Sequence, residues 1–115
     1  MAKYRLLPRA EADYFAIYAY GHENFGEAQA ERYTDGLRDA FTVITEHSHI
    51  GRRVDHIRAG YFCCEYKRHS IYYRLEEPGV VIVRVLGSQQ NARILGTPYL
   101  ILGTPYLTLN TARRR

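Results

Sequence analysis

Apolar side chains recur at two different periods along this chain, and the change of period divides it. Between Arg9 and about residue 46 they return every three or four positions. Ala10, Tyr14, Ile17 and Tyr20 or Gly21 form one stripe; Ala30, Tyr33, Leu37, Phe41 and Ile44 form a second. Glu11 and Asp13 stand where a helix start favours anions, and Glu27, Glu31, Asp35 and Arg38 lie off the second stripe. GHENFG (Gly21–Gly26) interrupts the pattern, so two amphipathic helices joined by a short loop are predicted to form an antiparallel hairpin. From Gly60 onward the period is two. GYFCCEYK (60–67) is a strand candidate, and RHSIYYRLEEPGVVIVRVLG (68–87) reads as a β-hairpin turning at Glu76–Gly79, where Pro78 pre-sets one φ and Gly79 tolerates another. Tyr4–Leu7 is a short strand stopped by Pro8, which suits a helix start. The predicted order is β-α-α-β-β-β, an α+β fold with a helical hairpin packed on a small, mostly antiparallel, twisted sheet.

Alternation assigns the two faces of the central hairpin. His69, Ile71, Tyr73 and Leu75 share one face of the first strand, and Arg68, Ser70, Tyr72 and Arg74 the other. On the second strand Val81, Val83 and Val85 alternate with Val80, Ile82, Arg84 and Leu86. Val80, Ile82 and Leu86 are thereby expected on an outer face. A strand apolar on both sides requires cover on both sides. A partner protein, the chain's own tail and a second copy of the chain are the three candidates. HSHIGRRVDHIRAG (47–60) reads as a polar connector. After Gly87 the seven residues ILGTPYL occur twice without a gap, at 94–100 and 101–107. Each copy holds a Gly and a Pro, so the repeat is no coiled-coil heptad, and two copies are too few for a solenoid. A domain over residues 1–95 and a tail over 96–115 are expected.

Charge sharpens this division. The net charge is +4, but Arg113, Arg114 and Arg115 supply three of those charges. Residues 1–47 carry five basic and eight acidic side chains, residues 48–95 eight and four. The helical half is acidic and the strand half basic, so a local basic surface is predicted rather than whole-molecule steering towards nucleic acid. No run approaches membrane-spanning length, and MAKYRLLPRAEAD lacks the apolar core of a signal peptide. Adjacent Cys63 and Cys64 should point to opposite faces of a strand, poorly placed to pair, which fits a reducing cytoplasm. Neither a metal site nor a cofactor is expected.

Several stretches, in this order and spacing, resemble the RelE/ParE superfamily of type II toxin–antitoxin toxins, and most closely its ParE branch. They are YRLLPRAEADYFAIYAY, FGEAQAERYTDGL, GRRVDHIRAGYF, RHSIYYRLEEPGVVIVRVLG and NAR, together spanning roughly residues 3–95. The resemblance implies a cognate antitoxin that wraps the toxin as it folds on binding. For the ParE branch it implies inhibition of DNA gyrase and hence of replication; for the RelE branch, cleavage of mRNA on the ribosome. One departure stands out. In VLGSQQNAR, Gly87 occupies the place of the family's His and Gln90 that of its Met. An attenuated toxin that only binds antitoxin is therefore a third reading.

Candidate residues follow from chemistry and resemblance together. Cleavage through a 2′-hydroxyl needs a base, an acid and cations for the developing charge. Tyr66 or His69 and Arg58, Lys67, Arg68, Arg74 and Arg84 offer these groups. Alternation puts His69 on the core side, however, so no catalytic residue is assigned. Antitoxin contact is expected at Arg74, Val80, Ile82, Arg84 and Leu86, and target contact at Arg52, Arg53, Arg58 and Arg68. Strand arginines also cover apolar neighbours and deter edge pairing, which is the plainer role for the same residues.

Overall fold

The computed structural model describes residues 3–87. The boundary expected at residue 95, the duplicated heptapeptide and Gln90 lie outside that range. Strand β1 (Tyr4–Leu6) leads into helix α1 (Pro8–Phe25), and helix α2 (Glu27–Glu46) returns antiparallel to it. Strands β2 (Arg52–Arg53), β3 (Tyr61–Tyr66), β4 (His69–Glu76) and β5 (Gly79–Gly87) follow. The sheet order is β1-β5-β4-β3-β2, with β1 parallel to β5 and the other pairs antiparallel. The α+β class and helical hairpin are as predicted. Strand β2, inside the supposed polar connector, is an addition.

Helix α1 runs four residues beyond the expected break at Gly21. A Cβ on Gly21 would lie 3.3 Å from the Ala30 Cβ, so this glycine lets the two helices approach rather than ending one. Gly26 makes the break: its φ of +94° suits glycine, its N–H donates to the His22 carbonyl at 3.1 Å, and its carbonyl accepts from the Ala30 N–H. On α2 the predicted stripe is buried at Ala30, Leu37, Phe41 and Ile44, with Thr34 beside it.

Both helices lie over one face of the sheet. Leu37, Phe41 and Ile44 pack there with Phe62, Ile71, Tyr73, Val80, Ile82 and Val85. Val54, Tyr61, Cys63, Tyr72, Val83 and Leu86 form a second cluster. Val80 and Ile82 are therefore core under the helices, at 2% and 0% exposure, and the outer-face expectation for them is corrected. The cause is a β-bulge: Tyr73 pairs with Ile82 but Tyr72 with Arg84, leaving Val83 as the extra residue. Beyond it the parity of β5 reverses. Val85 joins Val80 and Ile82, and Leu86 joins Val83 in the second cluster.

Tyr73 ties the connector to the core. Its ring stacks on Phe62 at 5.4 Å, while its hydroxyl donates to the Ser48 carbonyl and accepts the Gly51 N–H, each at 2.9 Å. At the opposite end of the sheet, the Val80 N–H donates to the Lys3 carbonyl at 3.0 Å, and a Cβ on Gly79 would overlap that carbonyl. Gly79→Ala is therefore expected to push β1 away from β5. Urea denaturation should show a loss of about 1–3 kcal/mol, the usual range for forced overpacking.

Candidate functional site

Helix α1 has more apolar surface than its own fold covers. Of its eighteen residues only Ala10 is buried, whereas Phe15, Tyr20 and Phe25 are 62%, 63% and 59% exposed. Tyr20 was expected on the buried stripe; Gly21 takes that angular position, which turns the Tyr20 ring outward. Beside it lies a cleft of about 380 Å³. Ile17, Tyr20 and Phe25 of α1 form one wall, Gln29 and Tyr33 of α2 another, and Arg68 and His69 close the end. A second depression shares Ile17, Tyr20 and His69 and continues past Ala16 to Asp13 and Val85. Together they make one trough along α1.

The polar groups of the trough are ordered. Tyr33 Oη lies 2.7 Å from His69 Nδ1 and accepts the Arg68 N–H at 3.3 Å. The Tyr33 ring meets Tyr66 edge-on, and the Lys67 ammonium sits over both rings. Burial pushes the His69 imidazole below its ordinary 6.5, against an opposing pull from Asp13. Burial likewise pushes the Tyr33 phenol up. Both groups are thus held neutral around pH 7.

At the other end, Asp13 joins helix to sheet. Arg84 donates to it twice, Nε to Oδ2 at 2.8 Å and Nη2 to Oδ1 at 3.0 Å, and the Val85 N–H donates to Oδ2 at 2.9 Å. Strand β1 pairs with β5 only at Val80, Val81 and Ile82. Beyond that point the Asp13 carboxylate takes a ladder N–H that a further strand would otherwise accept.

The expected antitoxin set is accordingly dispersed. Val80 and Ile82 lie beneath the helices, Leu86 belongs to the second cluster, and Arg84 is 9% exposed and neutralised by Asp13. Arg74 is half-buried on β4, opposite Tyr61 and Val81. Of the expected target set, Arg52 pairs with Glu65 at 3.1 Å, Arg53 with Asp55 at 2.9 Å, and Arg58 lies over the Tyr61 ring. Arg68 stands apart from Arg58: the two flank opposite ends of β3, a strand about 20 Å long, and Arg68 borders the trough. Sequence reasoning missed Asp13, Ile17, Phe25 and Gln29. For Ile17 and Phe25 the signal was an excess of large apolar residues on α1 beyond what one buried stripe needs.

Comparison with known proteins agrees with the fold. The family described as ParE toxin of type II toxin-antitoxin system, parDE, matches residues 4–92. Toxin ParE1 of Caulobacter vibrioides is 38% identical over 93 residues, covering 81% of this chain and 96% of that protein. Toxin ParE1 of Mycobacterium tuberculosis is 34% identical over 86 residues, covering 74% and 88%. A solved chain of the chromosomal ParDE TA system from P. aeruginosa superposes with a TM-score of 0.66, covering 76% of this chain and 96% of that one. At 18% identity it speaks for the fold alone.

Two measurements check this geometry. Asp13→Ala strands a buried guanidinium and should cost about 3–5 kcal/mol in chemical denaturation; Asp13→Leu combined with Arg84→Met should recover much of that loss. The second concerns His69, whose folded pKa is depressed. Its contribution is complete above pH 6.5 and is lost as pH falls towards the folded value. Stability should therefore decline as pH falls below about 6.5, and His69→Asn, which keeps a hydrogen-bond acceptor for Tyr33, should flatten that slope.

Proposed function

The chain belongs to the ParE toxin family of type II toxin–antitoxin systems, and from that membership we propose that a cognate antitoxin seats in the α1 trough and that the freed chain inhibits DNA gyrase by binding it. The observation that carries the antitoxin assignment is the uncovered apolar side of α1, at Tyr20 and Phe25. Burying such side chains contributes roughly 1.5–3 kcal/mol each, enough for a few anchors to define an interface. Arg68 at the trough's end favours an acidic residue at the corresponding end of the partner. Contact is thus proposed on α1 and α2, with Val80, Ile82 and Leu86 supporting the fold from beneath; Arg74 is left as a flanking contact.

Binding rather than strand scission is favoured by the state of the imidazole nearest the sheet's end. His69 pairs in register with Gly87, and its Nδ1 is engaged by Tyr33, which ties the ring into the fold. Arg52 and Arg53, already ion-paired within the chain, are proposed to orient a basic edge towards gyrase or its DNA alongside Arg58, while Arg68 belongs with the trough. This reading places the chain in the cytoplasm, in keeping with its two free cysteines.

One experiment with two arms tests it. Induction without antitoxin should block supercoiling or accumulate cleaved DNA in a gyrase assay while mRNA stays intact; codon-specific mRNA cuts with unaffected gyrase would overturn the gyrase assignment. In the second arm Tyr20→Asp should weaken antitoxin binding at least about tenfold, equivalent to 1.4 kcal/mol. Arg53→Ala should leave that affinity unchanged.

A further inference from the structure

We propose that, when no partner is bound, the α1 trough is filled by this chain's own C-terminal segment, through either copy of its repeated heptapeptide. The described chain ends at Gly87, the register partner of His69, and His69 lines the trough. Ile94, the first residue of the repeat, is seven positions further on, a reach of up to about 25 Å in extended chain. The trough from Asp13 to Phe25 is about 18 Å long, so one extended heptapeptide suffices to span it.

Chemistry matches on two counts. Each copy brings two aliphatic residues at its start and a Tyr-Leu pair at its end, which suit the Ile17, Tyr20 and Phe25 wall. The segment 88–115 carries four arginines and no acidic side chain, whereas residues 8–46, which form both helices, carry eight acidic and three basic. A basic apolar segment tethered at the mouth of an apolar trough, on a helical hairpin that is acidic as a whole, has a high effective concentration there. The duplication then acts as redundancy, because losing one copy leaves the other within reach. An antitoxin must displace this segment to bind, but occupancy itself requires no partner.

The chain contains no tryptophan, so Phe25→Trp installs a single indole reporter in the trough. In the full-length chain its emission should be blue-shifted and resistant to acrylamide. Replacing Tyr99, Leu100, Tyr106 and Leu107 by serine should raise quenching severalfold with unchanged circular dichroism, whereas disrupting either copy alone should not. If the four-serine chain fails to fold, Arg113→Glu with Arg114→Glu and Arg115→Glu, which keeps the repeat, must produce the rise instead. Quenching unmoved in the folded variant overturns the proposal. So does protection that disappears on dilution of the intact chain, which assigns the trough to a second copy. A reporter at Phe15, exposed but outside the trough, should not respond to the tail; an equal response there also overturns it.

Discussion

The Asp13 carboxylate is the constraint on which the relative placement of helix and sheet depends. It receives three hydrogen bonds, two from the Arg84 guanidinium and one from the Val85 backbone. A buried bidentate pair gains little net stability over apolar packing, but its geometry admits one arrangement. Here that arrangement sets where α1 crosses β5. The bulge at Val83 serves the same end, because the extra residue swings β5 so that Val85 returns to the helix-facing core while its N–H meets α1. The trough is a product of this crossing. With α1 pinned near its start by Asp13 and near its end against Ala30, the span between holds Ile17 and Tyr20 above the sheet without filling the space beneath.

Much of this was legible from periodicity, and the exceptions have definite causes. The α2 stripe and the core side of β4 follow from spacing, each a local pattern repeated several times, and the hairpin turn at Glu76–Gly79 follows from its Pro-Gly pair. The bulge was not legible: VVIVRV contains no Gly, Pro or Asn to mark an inserted residue, so strict alternation carried Leu86 and Ile82 onto one face. Gly21 was read as a breaker because local propensity knows nothing of Ala30 on the other helix. Asp13 was assigned to the helix dipole, a local role, while its partner lies 71 positions away.

The trough shows the same limit from the other side. Phe15 and Phe25 lie off the predicted stripe and Tyr20 was expected on it, yet all three are exposed and together exceed what one packed face uses. Their excess was readable as apolar surface awaiting cover. Its location was not, since it depends on Tyr33 and His69 closing the far end through a hydrogen bond between α2 and β4.

The parallel pairing of β1 with β5 has a consequence for synthesis. Tyr4 leaves the ribosome well before its ladder partner Val80. The helical hairpin and the β3–β4 meander can form from neighbouring residues, whereas the sheet cannot close until β5 emerges, and closure across so long a loop is slow. A nascent chain therefore exposes helix surfaces well before it owns a finished sheet. Translation order thus gives any protein that recognises α1 a head start over any that must recognise the completed fold.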